Sequence, residues 1–347
     1  MNRITNELLF PFWEGTKAVN ESILPLKEKD GSIQPIRLLY KPDAILSVRS
    51  ASLEKTYEEG KDYVLTADGL VIPEGSSIFA FDHADYYPEA DDGHTFPHTD
   101  GGFIRFSEGP YMHDRQTVVT YTHSDSYTGT IPCSKAALLP GTMKQLSEKK
   151  DIRLLIFGDS ISTGCNASGW YKVAPFQKPW FECLKEGIDT AFGTDITLLN
   201  TAVGGTVSKW GLETAVERGA DQKPDLCVLA FGMNDGSGRV PAEEYIAHIT
   251  GIMDIISKAN PACEYILIAT TIANKEVRGF LGNQKEYLAP LLKLEKEGVC
   301  VADMTTVHCD LLARKAFRDM TGNNVNHPND FLSRVYAQVM LRTMGLV

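Results

Sequence analysis

Arg153-Leu154-Leu155-Ile156-Phe157-Gly158-Asp159-Ser160-Ile161-Ser162 opens as a continuous apolar run and closes as a turn of Gly, Asp and Ser. A strand with one wet face would alternate apolar and polar residues. A run apolar at every position reads as a strand buried on both faces, as in parallel sheets. Similar runs recur at Ile196-Thr197-Leu198-Leu199, Leu226-Cys227-Val228-Leu229-Ala230, Tyr265-Ile266-Leu267-Ile268 and Val299-Cys300-Val301. Between and after them lie helical patterns. Tyr245, Ile246, Ile249, Ile252, Met253 and Ile256 repeat at three and four, as do Leu332, Val335, Tyr336, Val339 and Met340. Strand alternating with helix predicts an α/β fold with a parallel sheet covered on both faces.

Upstream the texture differs. Leu38-Leu39-Tyr40, Ala44 to Val48, Tyr63-Val64-Leu65, Ser77 to Phe81, Phe103 to Phe106 and Thr117 to Thr122 are short β-rich runs, with Asp30-Gly31 and Asp68-Gly69 as turns. Their spacing predicts a small β-sandwich. Residues 82–102, acidic and carrying Gly, Pro and His, read as one long loop. The charged stretch Lys144 to Asp151 is the natural boundary, so two domains are expected, 1–148 and 149–347.

The chain has 347 residues, enough to remove about three quarters of its unfolded surface from water without disulfide or metal staples. Its 45 acidic and 34 basic residues give a net charge of −11, which argues against nucleic acid or an anionic membrane as partner. Seven cysteines without a C-x-x-C pattern fit reduced thiols in a cytoplasmic setting rather than a disulfide framework or a zinc site. The N-terminal residues lack an apolar core of signal-peptide length, and no apolar run reaches the roughly 18 residues that a membrane span requires. A homo-oligomer is left open.

In open α/β sheets, ligands bind beyond the carboxyl ends of the strands. There the chain carries Gly158-Asp159-Ser160-Ile161-Ser162, Asn200-Thr201-Ala202-Val203-Gly204-Gly205, Gly232-Met233-Asn234-Asp235-Gly236 and, near its end, Asn324-Val325-Asn326-His327-Pro328-Asn329. Acyl transfer needs a nucleophile, a base and donors where negative charge develops. Ser160 can be the nucleophile, His327 the base, and a glycine N–H and an Asn amide the donors. Each also has a structural reading: Ser160 as a helix cap, Gly204 and Gly205 as a tight turn, Asn234 as a turn residue, Asp159 as the tie of its turn. His308 reads as a structural histidine. His83, His94, His98, His113 and His123 with nearby Asp residues make a metal site conceivable, but Pro97 breaks the helix that His94 and His98 would need, and a solvated loop is the better reading. Four segments in order, each at a strand end or before the last helix, carry the catalytic reading that none carries alone.

At these residues the chain resembles the SGNH (GDSL-type) hydrolases: F-G-D-S-I-S at 157–162, N-x-x-x-x-G at 200–205, G-M-N-D at 232–235 and N-H-P at 326–328, over about residues 150–347. The resemblance implies a flavodoxin-like three-layer sheet and hydrolysis of esters or thioesters without cofactor or metal. It implies Ser160 as nucleophile, His327 as base, and an oxyanion hole of the Ser160 N–H, the Gly205 N–H and the Asn234 side chain. One departure stands out. The family usually has Asp three residues before its histidine, and this chain has Asn324. In serine proteases, exchanging the orienting Asp for Asn costs about 10⁴ in turnover. The reading favours a Ser–His pair held by a non-carboxylate orienter, Asn324 through its oxygen or a backbone carbonyl, with Asp303, Asp319 and Asp330 as the carboxylate alternatives.

The two-domain arrangement resembles certain carbohydrate esterases, so removal of acetyl groups from a sugar is expected. Asp159, Asn166, Trp170 and Asn326 are substrate-side candidates, and His113 and Arg115 are candidates to reach the cleft from the first half. The rival readings are a lysophospholipase or thioesterase of the same fold, and a catalytically weakened carbohydrate-binding protein.

Overall fold

The computed structural model describes residues 2 and 4–347. The first half is antiparallel. In chain order it forms β1 (Lys17–Ile23), β2 (Ala44–Ser50), the hairpin of β3 (Val64–Thr66) and β4 (Gly69–Val71), the hairpin of β5 (Thr95–Pro97) and β6 (Phe103–Arg105), and β7 (Thr117–Thr122). β7 is central in a three-stranded sheet ordered β1-β7-β2. The β domain ahead of the parallel sheet is therefore present. Its details differ from the sequence expectation in three places. β1 had no strand signal, because its register slips between Ala18 and Glu21 and Asn20 takes φ +48, which breaks the period of two. Leu38-Leu39-Tyr40 is a buried connection rather than a strand, and Ser77 to Phe81 is a connection that buries Ile78 and Phe81 and exposes Ser77 and Phe79. Residues 82–102, expected as one loop, contain a short helix, His83–Tyr86, and the strand β5. Long-range packing folds this polar stretch: Tyr86 and Ile104 are buried in a cluster with Leu24, Phe81, Met112, Val277 and Val325.

The second half supplies β8 (Arg153–Gly158), β9 (Thr197–Asn200), β10 (Leu226–Ala230), β11 (Glu264–Ala269) and β12 (Val299–Asp303), all parallel, in the order β12-β11-β10-β8-β9. This is the flavodoxin-like order. The chain steps from β8 to β9 on one side and then crosses back to β10, so the topological switch lies between β8 and β10. Alternate residues serve the two faces. Leu154, Ile156, Val228, Ile266, Ile268, Cys300 and Ala302 pack on one side with the helices Trp180–Phe192 and Asp330–Thr343. Leu155, Phe157, Cys227, Leu229, Leu267, Val299 and Val301 pack on the other against the helix Ala242–Ala259. Both alternations are apolar because both faces are covered. No helix among the described residues is long and apolar enough to cross a membrane.

The first apolar cluster does not stop at the sheet. It runs on through Ile23, Val48, Val119 and Tyr121 of the antiparallel strands. Polar ties cross the same seam. Lys315 Nζ lies 2.5 Å from Glu21 Oε1, with both side chains buried, and Glu21 also accepts from the Tyr121 hydroxyl and the Leu39 N–H. The Arg334 guanidinium donates to the carbonyls of Val19 and Asn20. Gln116, just before β7, donates to the Thr321 carbonyl at 2.8 Å and accepts from the Asn329 amide at 3.0 Å. The segment carrying His327 is thus pinned at both ends by the first half.

Candidate active site

β8 ends at Gly158, and the chain turns at once into the short helix Ser160–Thr163. Asp159 caps that helix, its Oδ1 accepting from the Ile161 N–H at 3.0 Å. Burial pushes the Asp159 carboxyl up to about 7. Asp159 is 1 % exposed and turned into the fold, so it ties the turn and does not line a substrate cleft as the substrate-side expectation had it. The turn leaves Ser160 Oγ 2.8 Å from His327 Nε2.

The other ring nitrogen decides what holds the histidine. His327 Nδ1 is 2.7 Å from Asn166 Oδ1. The Asn166 Nδ2 is already committed, donating to the Gly109 and Gly322 carbonyls. The amide therefore presents only its oxygen to the ring. That fixes the tautomer with the proton on Nδ1 and leaves Nε2 free to accept from Ser160. Asn166 takes φ +67, a left-handed backbone that Asn tolerates better than most residues. Gly322 is needed here for its missing side chain, since a Cβ there would overlap the Asn166 side chain.

Asn324, the expected orienter, is elsewhere. Its Oδ1 accepts from the Tyr86 hydroxyl at 2.9 Å and its Nδ2 donates to the Arg105 carbonyl at 2.8 Å. The three carboxylate alternatives are also committed away from the ring. Asp319 accepts from the Leu24 N–H, Asp330 from the Ser168 N–H and Asp303 from the Thr306 N–H. A carboxylate that the sequence did not single out does approach. Glu108, on the loop between β6 and β7, places Oε2 3.4 Å from His327 Nδ1. Its Oε1 accepts from Asn323 Nδ2 at 3.1 Å, and the Tyr171 hydroxyl is 3.5 Å from Oε2. Burial acts to raise the Glu108 carboxyl, but the hydrogen bond and charge of His327 together with the hydrogen bonds from Asn323 and Tyr171 outweigh it, and the net shift is downward.

The candidate donors meet on the neighbouring loops. The Val203 N–H donates to the Gly158 carbonyl, and a Cβ on Gly204 would lie 3.6 Å from the Ser160 Cβ, so this loop runs beside the serine. Gly205 turns there at φ +78. The Asn234 amide donates to the Thr206 carbonyl at 2.8 Å, which brings it onto the same loop. Beneath, the buried Asp235 carboxylate accepts from the Ser208 N–H and hydroxyl and from the Gly232 N–H, joining the two donor loops. Burial raises the Asp235 carboxyl.

Among the remaining candidates, Trp170 is 48 % exposed, and Asn326 is half-buried and accepts from Asn323. Asn166 holds His327, a different place from the substrate side expected for it. His113 is buried against the Ala174 carbonyl and Arg115 stacks 3.6 Å over Tyr111, so Glu108 is the first-half residue at the ring. His308 is buried, accepts from the Ile272 N–H and is pushed down to about 3 by burial, which keeps it neutral.

A model of the GDSL-like Lipase/Acylhydrolase family matches residues 156–332. An arylesterase of Vibrio mimicus is 29 % identical over 112 residues, 32 % of this chain and 50 % of the relative, so the chain spans about half the length of the curated relative it matches. Two solved structures also superpose. A two-domain esterase active on acetylated mannans, co-crystallized with mannopentaose, does so with TM-score 0.50 and 19 % identity over 62 % of this chain and 55 % of that one. An acetylxylan esterase from Geobacillus stearothermophilus does so with TM-score 0.45 and 17 % identity over 57 % and 96 %.

Proposed function

We propose, from the premise that this chain belongs to the GDSL-like lipase/acylhydrolase family, that it is a serine esterase removing short acyl groups, acetyl foremost, from a carbohydrate. The observation that carries the reading is the hydrogen-bonded chain Ser160 Oγ, His327 Nε2, His327 Nδ1, Asn166 Oδ1, at 2.8 and 2.7 Å. Ser160 Oγ attacks the ester carbonyl while His327 Nε2 takes its proton. The tetrahedral oxyanion forms against the N–H groups of Ser160 and Gly205 and the Asn234 amide. His327 returns the proton to the departing sugar oxygen, leaving the acyl group on Ser160. Water, deprotonated by His327, then releases acetate and restores the serine. The exposed Trp170 and the half-buried Asn326 suit a polar, ring-shaped alcohol at the rim. Residues 1–148 are read as a β unit that completes the site rather than as a detached binder, and 149–347 as the unit carrying the serine and histidine.

The test is acetate release from acetylated mono- and oligosaccharides, with labelling by a fluorophosphonate probe. Wild type releases acetate and takes the label, and Ser160→Ala does neither. An active Ser160→Ala variant overturns the mechanism. Activity rising from acetyl to decanoyl esters overturns the deacetylase reading in favour of a lysophospholipase or thioesterase, and an unlabelled Ser160 favours a binding protein.

A further inference from the structure

The loop between β6 and β7 belongs to the antiparallel half, yet it ends beside the imidazole of a histidine more than two hundred residues away. Glu108 is half-exposed, and its two oxygens are divided between Asn323 Nδ2 and His327 Nδ1. Asn323 is itself the organiser of the histidine loop. Its Oδ1 accepts from the backbone N–H groups of Val325, Asn326 and His327, each at 3.0 Å. The amide that shapes the loop and the carboxylate beside the ring are therefore one connected unit. The neutral Asn166 oxygen holds the ring but brings no charge to balance an imidazolium. A carboxylate 3.4 Å from Nδ1 does bring it, at the moment when Nε2 has taken the serine proton.

We propose that Glu108 is a positioning residue for the esterase reaction, supplying from the N-terminal half the negative charge that steadies protonated His327, while Asn166 sets the ring's orientation. The two tasks that a single aspartate performs elsewhere are split here between an amide and a glutamate from different parts of the chain. The inference rests on the serine-esterase reading above.

Other ionisable groups facing the pair are Tyr171, at 3.5 Å from Glu108 Oε2, and Cys165 on the nucleophile loop. Burial raises the Tyr171 hydroxyl and the Cys165 thiol. The Glu108 charge adds to both shifts, but a phenol and a thiol are neutral on the acid side of the profile in every variant, so the acid limb isolates the Glu108 charge at His327.

Glu108→Gln keeps the shape and the acceptor for Asn323, removes the charge, and exchanges the second oxygen for an NH₂ group. It is compared with wild type and Glu108→Asp on an acetyl ester from pH 5 to 9, each preparation being counted by fluorophosphonate titration. The expected result is a kcat lower by about tenfold with KM nearly unchanged, and an acid limb of kcat/KM moved to lower pH by about one unit, the size expected for a charge at this distance in a wet site. Glu108→Asp recovers part of both. A Glu108→Gln profile that overlies wild type, or a rise in KM with kcat retained, overturns the proposal. Because Ser160→Ala is measured in the same assay, loss of this inference is distinct from loss of the esterase reading: an inactive Ser160→Ala with an unaffected Glu108→Gln removes only the former.

Discussion

The Asn166 side-chain oxygen receives the Nδ1 proton of His327 at 2.7 Å, across a sequence separation of 161 residues. An amide in this place can orient the ring only if it cannot flip, and the Gly109 and Gly322 carbonyls hold its NH₂ group so that it does not. Asn166→Ala should lower kcat by about 10²-fold with little change in KM, the size expected when a reacting group is misplaced by about an ångström. Steady-state kinetics on an acetyl ester checks this, and an unchanged kcat would show that the ring is held by other means.

Asn324 sits where the resembling family carries its aspartate, so Asn324→Asp invites the thought of restoring a triad. The structure predicts no gain. An aspartate there would face the Arg105 carbonyl with an acceptor where the amide now donates. The variant should lose about 1–3 kcal/mol of stability, the cost of an unmatched buried acceptor. Its kcat per folded molecule should match wild type. Denaturant unfolding and active-site-titrated rates measure the two quantities, and a large increase in kcat would overturn the assignment.

Removal of the Asn234 amide tests the oxyanion site. Asn234→Ala should cost about 10²–10³ in kcat, as loss of one preorganised donor does. The substitution also removes the bond to the Thr206 carbonyl, so the fold is checked by thermal unfolding. A variant that melts like wild type and turns over like wild type would exclude Asn234 from the oxyanion hole.

Asp159 gives stability a pH slope of known sign. Burial lifts its carboxyl to about 7 in the folded protein, against an ordinary value of 3.8. Below about pH 4 both folded and unfolded chains hold the proton. Between about pH 4 and 7 only the folded chain retains it, so this group's contribution to stability falls by about 1.4 kcal/mol per pH unit and levels off above 7. Asn at this position keeps the acceptor for Ile161 N–H and cannot ionise. The Tm advantage of Asp159→Asn over wild type should therefore be larger at pH 8 than at pH 5. An equal difference at both pH values would contradict the burial argument.

The residues that the sequence made legible are those whose signal is local. β8 and β10 were visible because burial on both faces removes polar residues from both alternations. Ser160 and His327 were visible because each lies in a short motif beyond a strand end or ahead of the last helix. β1 was hidden by its bulge at Ala18 to Glu21, and the folding of residues 82–102 by its dependence on Tyr86 and Ile104 meeting distant apolar partners. The holders of His327 were hidden for a related reason. Spacing pointed to Asn324, but its backbone is left-handed at φ +67 and its amide is taken by Tyr86 and Arg105. Asn166 reaches the ring only because Gly322 opens the approach, and Glu108 only because the antiparallel half is folded against the sheet. No spacing in the chain encodes either.

The buried Glu21–Lys315 pair has a consequence for how the molecule comes apart. Removing either partner strands a charge in an apolar interior, a change that typically costs about 3–5 kcal/mol. With one apolar cluster continuous across the same seam, the two halves share part of their interior. The chain should melt in one cooperative transition, its calorimetric and van't Hoff enthalpies agreeing, and a fragment begun at residue 149 should be unstable as well as slow. The seam between the halves is thus an interior of the molecule and a poor place to cut it.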